Sequence, residues 1–203
     1  DQLIFTSGAT ESVHLAILGS AASHAPGRIV VSGVEHPAVL AAADQLKNKG
    51  WSVVFWPVDA MGLIRLEFME ELLDEPTRMV SLIAAQSEVG ALQPTALVGR
   101  ACRDRGITFH SDATQLIPQG CPEFNRLHSD LISLSAHKFQ GPRGIGLLIR
   151  DTTHPLVPVQ GGGGQEFGLR SGTEALALIA GMAQALSVLP AYHLSGDTIP
   201  PGS

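Results

Sequence analysis

Short apolar runs alternate with longer segments of helical periodicity along most of the chain. LIFT precedes the helical pattern TESVHLAILGSAA, and RIVVS precedes HPAVLAAADQLKNKG. The alternation continues through the strand-like runs SVVFWPV, MVSLIAA, ITFHSD, DLISLS and GIGLLI. The helical pattern RLEFMEELLDE follows the first of these runs, and TALVGRACRDRG follows the second. Strands that alternate with helices are typical of α/β proteins. The pattern therefore predicts an α/β fold with a mostly parallel sheet.

Small and polar side chains gather where the predicted strands end. The carboxyl ends of parallel strands meet at one edge of a sheet, where α/β proteins bind their ligands. Distant parts of the sequence can therefore meet in one cleft. The segments that follow strands are Ser7 to Thr10, Glu35 with His36, Gln86 to Glu88, Asp112 to Gln115, and Ser135 to Lys138.

The two ends of the chain look cut. A strand begins at about residue 3 without a lead-in. After a predicted last helix over Thr173 to Leu189, residues 190–203 lose their periodicity and become rich in Pro, Gly and Ser. We therefore predict one domain over residues 1–189, truncated at both ends relative to a longer enzyme, and a linker or disordered tail over residues 190–203.

Composition argues against some classes of partner. The 203-residue chain carries a net charge of −6, and it has no basic stripe to neutralise the phosphates of a nucleic acid. No apolar run approaches a membrane span, and DQLIFTSGATES lacks the regions of a signal peptide. We therefore expect a cytoplasmic protein with no membrane segment. The two cysteines, Cys102 and Cys121, match no disulfide or metal spacing, and neither is expected to be a nucleophile.

A lysine follows the predicted strand DLISLS, in the stretch SLSAHKFQGPRGIG. We expect Lys138 to be buried there, because it comes directly after a core strand. Burial disfavours the ammonium form and makes a lysine nucleophilic toward an aldehyde or another carbonyl group. The alternative is a lysine that extends from a loop into solvent.

Two further strand ends offer an anion site and an acid. TSGATES opens a helix, so its N–H groups and the Thr10 hydroxyl can bind a phosphate, unless Thr10 or Ser12 simply caps the helix. Asp112 in HSDATQ suits a metal, a ribose hydroxyl or a protonated ring nitrogen. The sequence has no metal-spaced cluster and no glycine fingerprint after the first strand, which leaves the ring nitrogen. Asp112 and Lys138, 26 positions apart (138 − 112), together with the phosphate site suggest pyridoxal 5′-phosphate (PLP).

Five ordered blocks carry a family resemblance: FTSGATES, VEHPAVL, HSDATQ, SAHKFQGPRGIG and GGGGQEFGLRSGTE. Over about residues 3 to 188 the chain resembles class V aminotransferase-like enzymes, most specifically the cysteine desulfurases of iron–sulfur cluster assembly. The resemblance implies the large domain of a PLP-dependent transferase of fold type I, with a mostly parallel mixed sheet flanked by helices. It also implies that L-cysteine is converted to L-alanine, while the sulfur forms an enzyme persulfide and passes to an acceptor or scaffold protein.

The resemblance implies roles for residues around the cofactor ring. Lys138 would hold the cofactor covalently and move the α-proton of the substrate. Asp112 would pair with the pyridine nitrogen, and Gln115 with the phenolic oxygen. His36 would stack on the ring and be available for proton transfer, although a histidine before Pro37 can also be a simple turn residue.

The resemblance also implies a phosphate site and a second subunit. The phosphate-binding residues would be Thr10, Ser135 and His137, and Ala9 would be a further cofactor-binding residue. Thr173 in RSGTE matches a residue that reaches the phosphate of the partner subunit, so a homodimer is implied. The alternatives are a packing role for His137 and a plain helix cap for Thr173. The histidines outside these motifs, His110 among them, receive no role.

The sequence departs from the family in two places. Where the family typically has Asn-Asn-Glu-x-Gly, this chain has Gln86, Ser87, Glu88, Val89 and Gly90. Ser87, near the cofactor, is shorter than the family's Asn, so either Gln86 compensates or substrate binding is altered. The second departure is the length of the chain. Members of the family carry a loop cysteine that accepts sulfur, and an arginine for the substrate carboxylate, in a region beyond the end of this chain.

Two other functions stay open at this point. One is a related PLP-dependent lyase or aminotransferase, such as a selenocysteine or cystine lyase, that forms no persulfide. The other is a non-catalytic fragment that keeps the fold for dimerisation or protein binding. The intact Lys138 and Asp112 argue against the second.

Overall fold

A computed structural model describes residues 3–192. The described chain contains these strands: β1 Leu3–Thr6, β2 Arg28–Ser32, β3 Ser52–Trp56, β4 Thr77–Ile83, β5 Thr108–Asp112, β6 Cys121–Pro122, β7 Leu131–Ser135, β8 Gly146–Arg150 and β9 Ala191–Tyr192. Its α-helices are α1 Ala9–Ala21, α2 Pro37–Lys47, α3 Met69–Leu73, α4 Thr95–Asp104 and α5 Leu176–Ser187.

Seven of these strands form one sheet in the order β1-β8-β7-β5-β4-β2-β3. The parallel part of the sheet consists of β7, β5, β4, β2 and β3. Strand β8 is antiparallel to both β7 and β1. The sheet is therefore mostly parallel and mixed, and the predicted fold class is confirmed. The parallel strands all point their carboxyl ends toward one edge.

Helices cover the sheet because successive strand residues face opposite sides. In β2, Ile29 and Val31 pack against α1 and α2, in a cluster with Val39 and Leu46. Val30 faces the other side and packs in the cluster that contains residues of α3 and α4. The core is thus two apolar layers, and the buried strands hold their ends in fixed positions.

Three predicted elements differ from the structure. RLEFMEELLDE contains a 3-10 turn at Leu66–Phe68 followed by the short α3, because Pro76 lies just beyond and cannot continue a helix. The last helix begins at Leu176 rather than Thr173, because Ala175 is its N-cap and has a non-helical ψ of 70°. Ala191–Tyr192 lie in the predicted tail yet pair with β6; residues 193–203 of that tail lie outside the described residues.

Two kinds of feature are absent from the part of the chain that the structure describes. None of its helices has the length and apolar character needed to cross a membrane. Nor do its residues contain a group of three or more His, Cys, Asp or Glu side chains placed to hold a metal ion.

Candidate active site

A cavity of about 900 Å³ opens at the carboxyl ends of β1, β2, β4, β5 and β7. This edge is where the topology of a parallel sheet predicts a ligand site. We call this cavity the main pocket. Nine of the ten predicted site residues line it, namely Ala9, Thr10, His36, Ser87, Asp112, Gln115, Ser135, His137 and Lys138.

Lys138 lines the main pocket, but it is exposed and not buried. The expectation of a buried lysine is therefore wrong. Strand β7 ends at Ser135, and the 3-10 turn Ala136–Phe139 carries Lys138 out of the core while Ala136 and Phe139 stay buried. The ammonium group is thus placed at the pocket wall, within reach of a molecule that enters from solvent.

Asp112 ends β5 and is 4% exposed. Its Oδ1 accepts a hydrogen bond from the Thr114 N–H at 3.0 Å. Burial raises the pKa of Asp112, against the opposing effects of Thr114, His36 and Ser133. A cation placed in the main pocket would favour the ionised carboxylate again, and a protonated pyridine ring supplies such a charge.

His36 has two tasks. It is the N-cap of α2, which begins at Pro37, and its Nδ1 accepts a hydrogen bond from the Ala38 N–H at 3.1 Å. The cap leaves Nε2 as the protonated nitrogen of the neutral ring. His36 is also exposed and lines the main pocket. His36 therefore caps a helix and lines the main pocket, and its stacking on a cofactor ring stays a prediction.

The start of α1 forms an anion site opposite Ser135. The N-cap of α1 is Gly8, so neither Thr10 nor Ser12 caps the helix. The first N–H groups of a helix lack partners within it and attract anions. A Cβ on Gly8 would lie 3.7 Å from Ser135 Oγ, so glycine keeps this space open.

His137 completes this corner of the main pocket. Its Nδ1 lies 2.8 Å from Ser135 Oγ. Partial burial, Lys138 and Arg143 lower the pKa of His137. A bound phosphate would offset the surrounding positive charge, so the electrostatics of this corner favour an anion. The predicted phosphate residues Thr10, Ser135 and His137 are thus gathered in one place with Ala9.

The side-chain oxygen of Gln86 is engaged within its own turn. Its side-chain Oε1 accepts hydrogen bonds from the N–H groups of Glu88, at 2.6 Å, and Val89, at 2.8 Å. These bonds hold the turn that follows β4. Ser87 is exposed at the pocket wall, so it offers a single hydroxyl where the family has an amide.

Thr173 lines a second, smaller cavity of about 130 Å³, which shares Ser7 and Gly144 with the main pocket. The N-cap of α5 is Ala175, so Thr173 does not cap that helix. The segment around Thr173 is tied to α1 by an ion pair of 2.7 Å between Arg170 Nε and Glu11 Oε1. Thr173 thus lies beside the main pocket of its own chain and not in its wall.

Two pocket residues were missed by the sequence analysis. Within residues 3–192, the buried side-chain polar atoms without a hydrogen-bond partner are Glu35 Oε2 and Thr114 Oγ1. Both residues line the main pocket. Unpaired buried polar atoms are costly, and both of these belong to residues in the wall of the same cavity. Both residues belong to segments that follow predicted strands, and this position was the sequence feature that could have indicated them.

His110 supports Asp112 from within the sheet. Its ring is fully buried, with Nδ1 2.8 Å from Ser81 Oγ and Nε2 3.1 Å from Ser133 Oγ. Burial lowers the pKa of His110 to about 3, so the ring stays neutral. Ser133 in turn opposes the rise in the pKa of Asp112 that burial causes. These contacts join β4, β5 and β7 below the main pocket.

We expect His110→Ala to lower the free energy of unfolding by about 3 kcal/mol, because the change leaves a cavity and two buried hydroxyls without partners. Urea denaturation of the two proteins measures the difference. His14→Ala is the matched control, since Nδ1 of the His14 ring lies 2.9 Å from the exposed Thr10 carbonyl oxygen. An equal effect of both substitutions would contradict the role given to His110.

Neither cysteine has the setting of a nucleophile. Cys102 is fully buried in the core, where burial raises the pKa of its thiol to about 12. Burial also raises the pKa of Cys121. Neither residue lines the main pocket, so this part of the chain contributes no thiolate to it.

The residues of the main pocket fit PLP. Lys138 supplies an accessible amine, Asp112 a buried acid, and α1 with Ser135 an open anion site. Glu35 Oε2 and Thr114 Oγ1 are polar atoms that still lack partners. An amine for the aldehyde, an acid for the ring nitrogen and a phosphate site are the features that this cofactor needs.

The fold and the main pocket agree with the comparisons to known proteins. The chain belongs to the aminotransferase class-V family, which it matches over residues 1–197. Enzymes of this family depend on PLP. Its relatives include a mitochondrial cysteine desulfurase of Drosophila melanogaster, 40% identical over 188 residues, and the cysteine desulfurase IscS of Rickettsia bellii, 38% identical over 191 residues.

These matches cover most of this chain but less than half of each relative. The aligned part is 91% of this chain and 41% of the Drosophila protein, and 92% and 47% for the Rickettsia protein. Among solved structures, a NifS-like protein has a TM-score of 0.87 with 38% identity, over 92% of this chain and 52% of its own. SspA in complex with cysteine has a TM-score of 0.86 with 35% identity, over 93% and 55%.

Proposed function

We propose that this chain is the PLP-binding part of an enzyme of the cysteine desulfurase type, which converts L-cysteine to L-alanine and transfers its sulfur. The observation that carries the proposal is the main pocket, where Lys138, Asp112, His36 and the start of α1 meet. The cysteine desulfurases among the relatives support this chemistry. The solved complex of SspA with cysteine supports cysteine as the substrate.

Each pocket residue would contribute a defined action. When bound, PLP supplies a ring that stabilises negative charge on the α-carbon of an amino acid. Lys138 would hold the cofactor through Nζ and, once Nζ is free, remove the α-proton at that atom. The Asp112 carboxylate would keep a proton on the ring nitrogen. His36 would pack on the ring face, with its Nε2 able to carry a proton.

The phosphate would lie at the start of α1. Its oxygens would accept hydrogen bonds from the N–H groups of Ala9 and Thr10 and contact Ser135 and His137. Gln115 would face the phenolic oxygen. These contacts fix the ring in position, so that the amine of Lys138 and the acid of Asp112 act on opposite parts of one molecule.

The sulfur acceptor and the partners extend this proposal. Cys102 and Cys121 lie outside the main pocket. A persulfide would therefore form on a cysteine other than these two. Thr173 would contact the phosphate in a partner subunit of a homodimer, and the sulfur would pass to an acceptor or scaffold protein for iron–sulfur cluster assembly. A cytoplasmic location stays a prediction of the sequence.

Addition of L-cysteine to the PLP-loaded chain tests the proposed substrate. We expect the visible absorption of the bound cofactor to change in a saturable way with L-cysteine and much less with D-cysteine, because the pocket is chiral. L-selenocysteine and L-cystine, added in parallel, distinguish a selenocysteine or cystine lyase. No change with L-cysteine while PLP stays bound would contradict the desulfurase assignment and leave the cofactor site intact.

A further inference from the structure

We propose that Glu35 is a positioning residue of the PLP site and acts as a neutral carboxylic acid that fixes His36 and leaves Asp112 as the negative charge in the buried part of the main pocket. The inference rests on the proposed function, because it concerns the same cofactor. It adds a residue to which neither the sequence motifs nor the comparisons give a role.

The carboxyl of Glu35 joins two strand ends. Its Oε1 accepts a hydrogen bond from Ser32 Oγ at 2.6 Å and another from the Ile83 N–H at 2.7 Å. Ser32 is the last residue of β2, and Ile83 is the last residue of β4. Ile83 pairs with Asp112 in the sheet. The backbone of Glu35, and with it the neighbouring His36, is therefore held against the strand that lies beside Asp112.

The two oxygens of this carboxyl differ in their surroundings. Oε1 has two donors, whereas Oε2 is buried and has no partner within the described residues. In an ionised carboxylate Oε2 would share the charge without any donor of its own, while a protonated Oε2 carries no charge. Glu35 is 8% exposed, and it faces the charge of Asp112. Geometry thus places the proton on Oε2.

The electrostatics agree with this protonation state. Burial raises the pKa of Glu35 to about 8, with a further increase from Asp112 on β5. His36, at the start of α2, acts in turn on Asp112 and favours its ionised form. A folded-state pKa above the unfolded value means that the neutral form stabilises the fold at low pH. This stabilisation is lost as the pH rises from about 5 through about 8.

The first test compares thermal unfolding of the chain without cofactor, in wild type and in Glu35→Gln, across this pH range. The amide of glutamine keeps the Oε1 acceptor and carries no charge. We expect the Tm of Glu35→Gln, relative to wild type, to rise by about 5 °C or more between about pH 5 and about pH 9. A constant difference across the range would overturn the neutral acid. This readout needs no cofactor, so it decides the protonation state even if the proposed function fails.

The second test measures the affinity for PLP by titration of visible absorption. We expect Glu35→Gln to bind PLP within about 2-fold of wild type near pH 7, and Glu35→Ala to bind about 10-fold more weakly, because only glutamine can hold Ser32 and Ile83. Equal loss in both variants would show that a carboxylate is required, and no loss in Glu35→Ala would remove the positioning role. If wild type binds no PLP, the proposed function fails and the positioning role toward PLP fails with it.

Discussion

Lys138→Ala abolishes the visible absorption band that PLP develops when it bonds to a lysine of the chain. The band requires an amine in the main pocket, and Lys138 is the lysine that lines it. The other two lysines of the sequence, Lys47 and Lys49, lie exposed at the end of α2 and beyond it. Loss of the covalent bond is expected to be complete and not partial, because neither lysine lines the main pocket.

Absorption spectra recorded with and without borohydride check this result. In wild type, borohydride reduces the bond between cofactor and lysine to a stable single bond. The visible band is therefore lost, and the cofactor stays with the protein after dialysis. Lys49→Ala is the matched control, because it removes an exposed lysine outside the pocket, and it is expected to behave as wild type. A band of wild-type intensity in Lys138→Ala would show that another amine binds the cofactor.

Asp112→Asn weakens PLP binding by about 10- to 100-fold. The substitution keeps the size of the side chain and removes the charge that would pair with the protonated ring nitrogen. A hydrogen bond between charged groups contributes about 1.5 to 3 kcal/mol, which corresponds to that range of affinity. Because Asp112 is 4% exposed, water cannot replace the lost partner. Titration of the chain with PLP measures the change.

Asp130→Asn is the control for Asp112→Asn. Asp130 precedes β7 at the opposite end of the sheet, where its Oδ2 accepts a hydrogen bond from the Phe109 N–H at 2.7 Å. Burial raises the pKa of this carboxyl as well, so both substitutions remove a partly or fully buried acid. We expect Asp130→Asn to lower stability and leave PLP affinity unchanged. Equal weakening of PLP binding by both would contradict a direct role for Asp112.

The α/β class and the pocket location could be predicted from the sequence because both follow from periodicity. Apolar runs such as RIVVS predict strands. In a parallel sheet, the polar residues that follow the strands, including His36 and Asp112, lie at one edge. The nine residues in the main pocket therefore came together as the pattern predicted. The strand order, with β8 antiparallel between β1 and β7, depends on long-range pairing that local periodicity does not encode.

The environment of single residues could not be predicted in the same way. Lys138 follows a buried strand by only three positions, yet one 3-10 turn brings it to the surface. No motif of the sequence assigned a role to His110, because its partners, Ser81 and Ser133, lie on two other strands. The carboxyl of Glu35 accepts a hydrogen bond from the N–H of Ile83, which lies 48 positions away in the sequence. Burial and hydrogen bonding of this kind arise only when distant segments meet.

Mass spectrometry of peptides from the PLP-loaded, borohydride-reduced wild-type chain locates the cofactor on the sequence. We expect one cofactor per chain, attached to the peptide that contains Lys138. The two remaining lysines offer clear alternatives in other peptides. Attachment at Lys47 or Lys49, or a reduced chain that carries no cofactor, would contradict the claim that the main pocket is a PLP site.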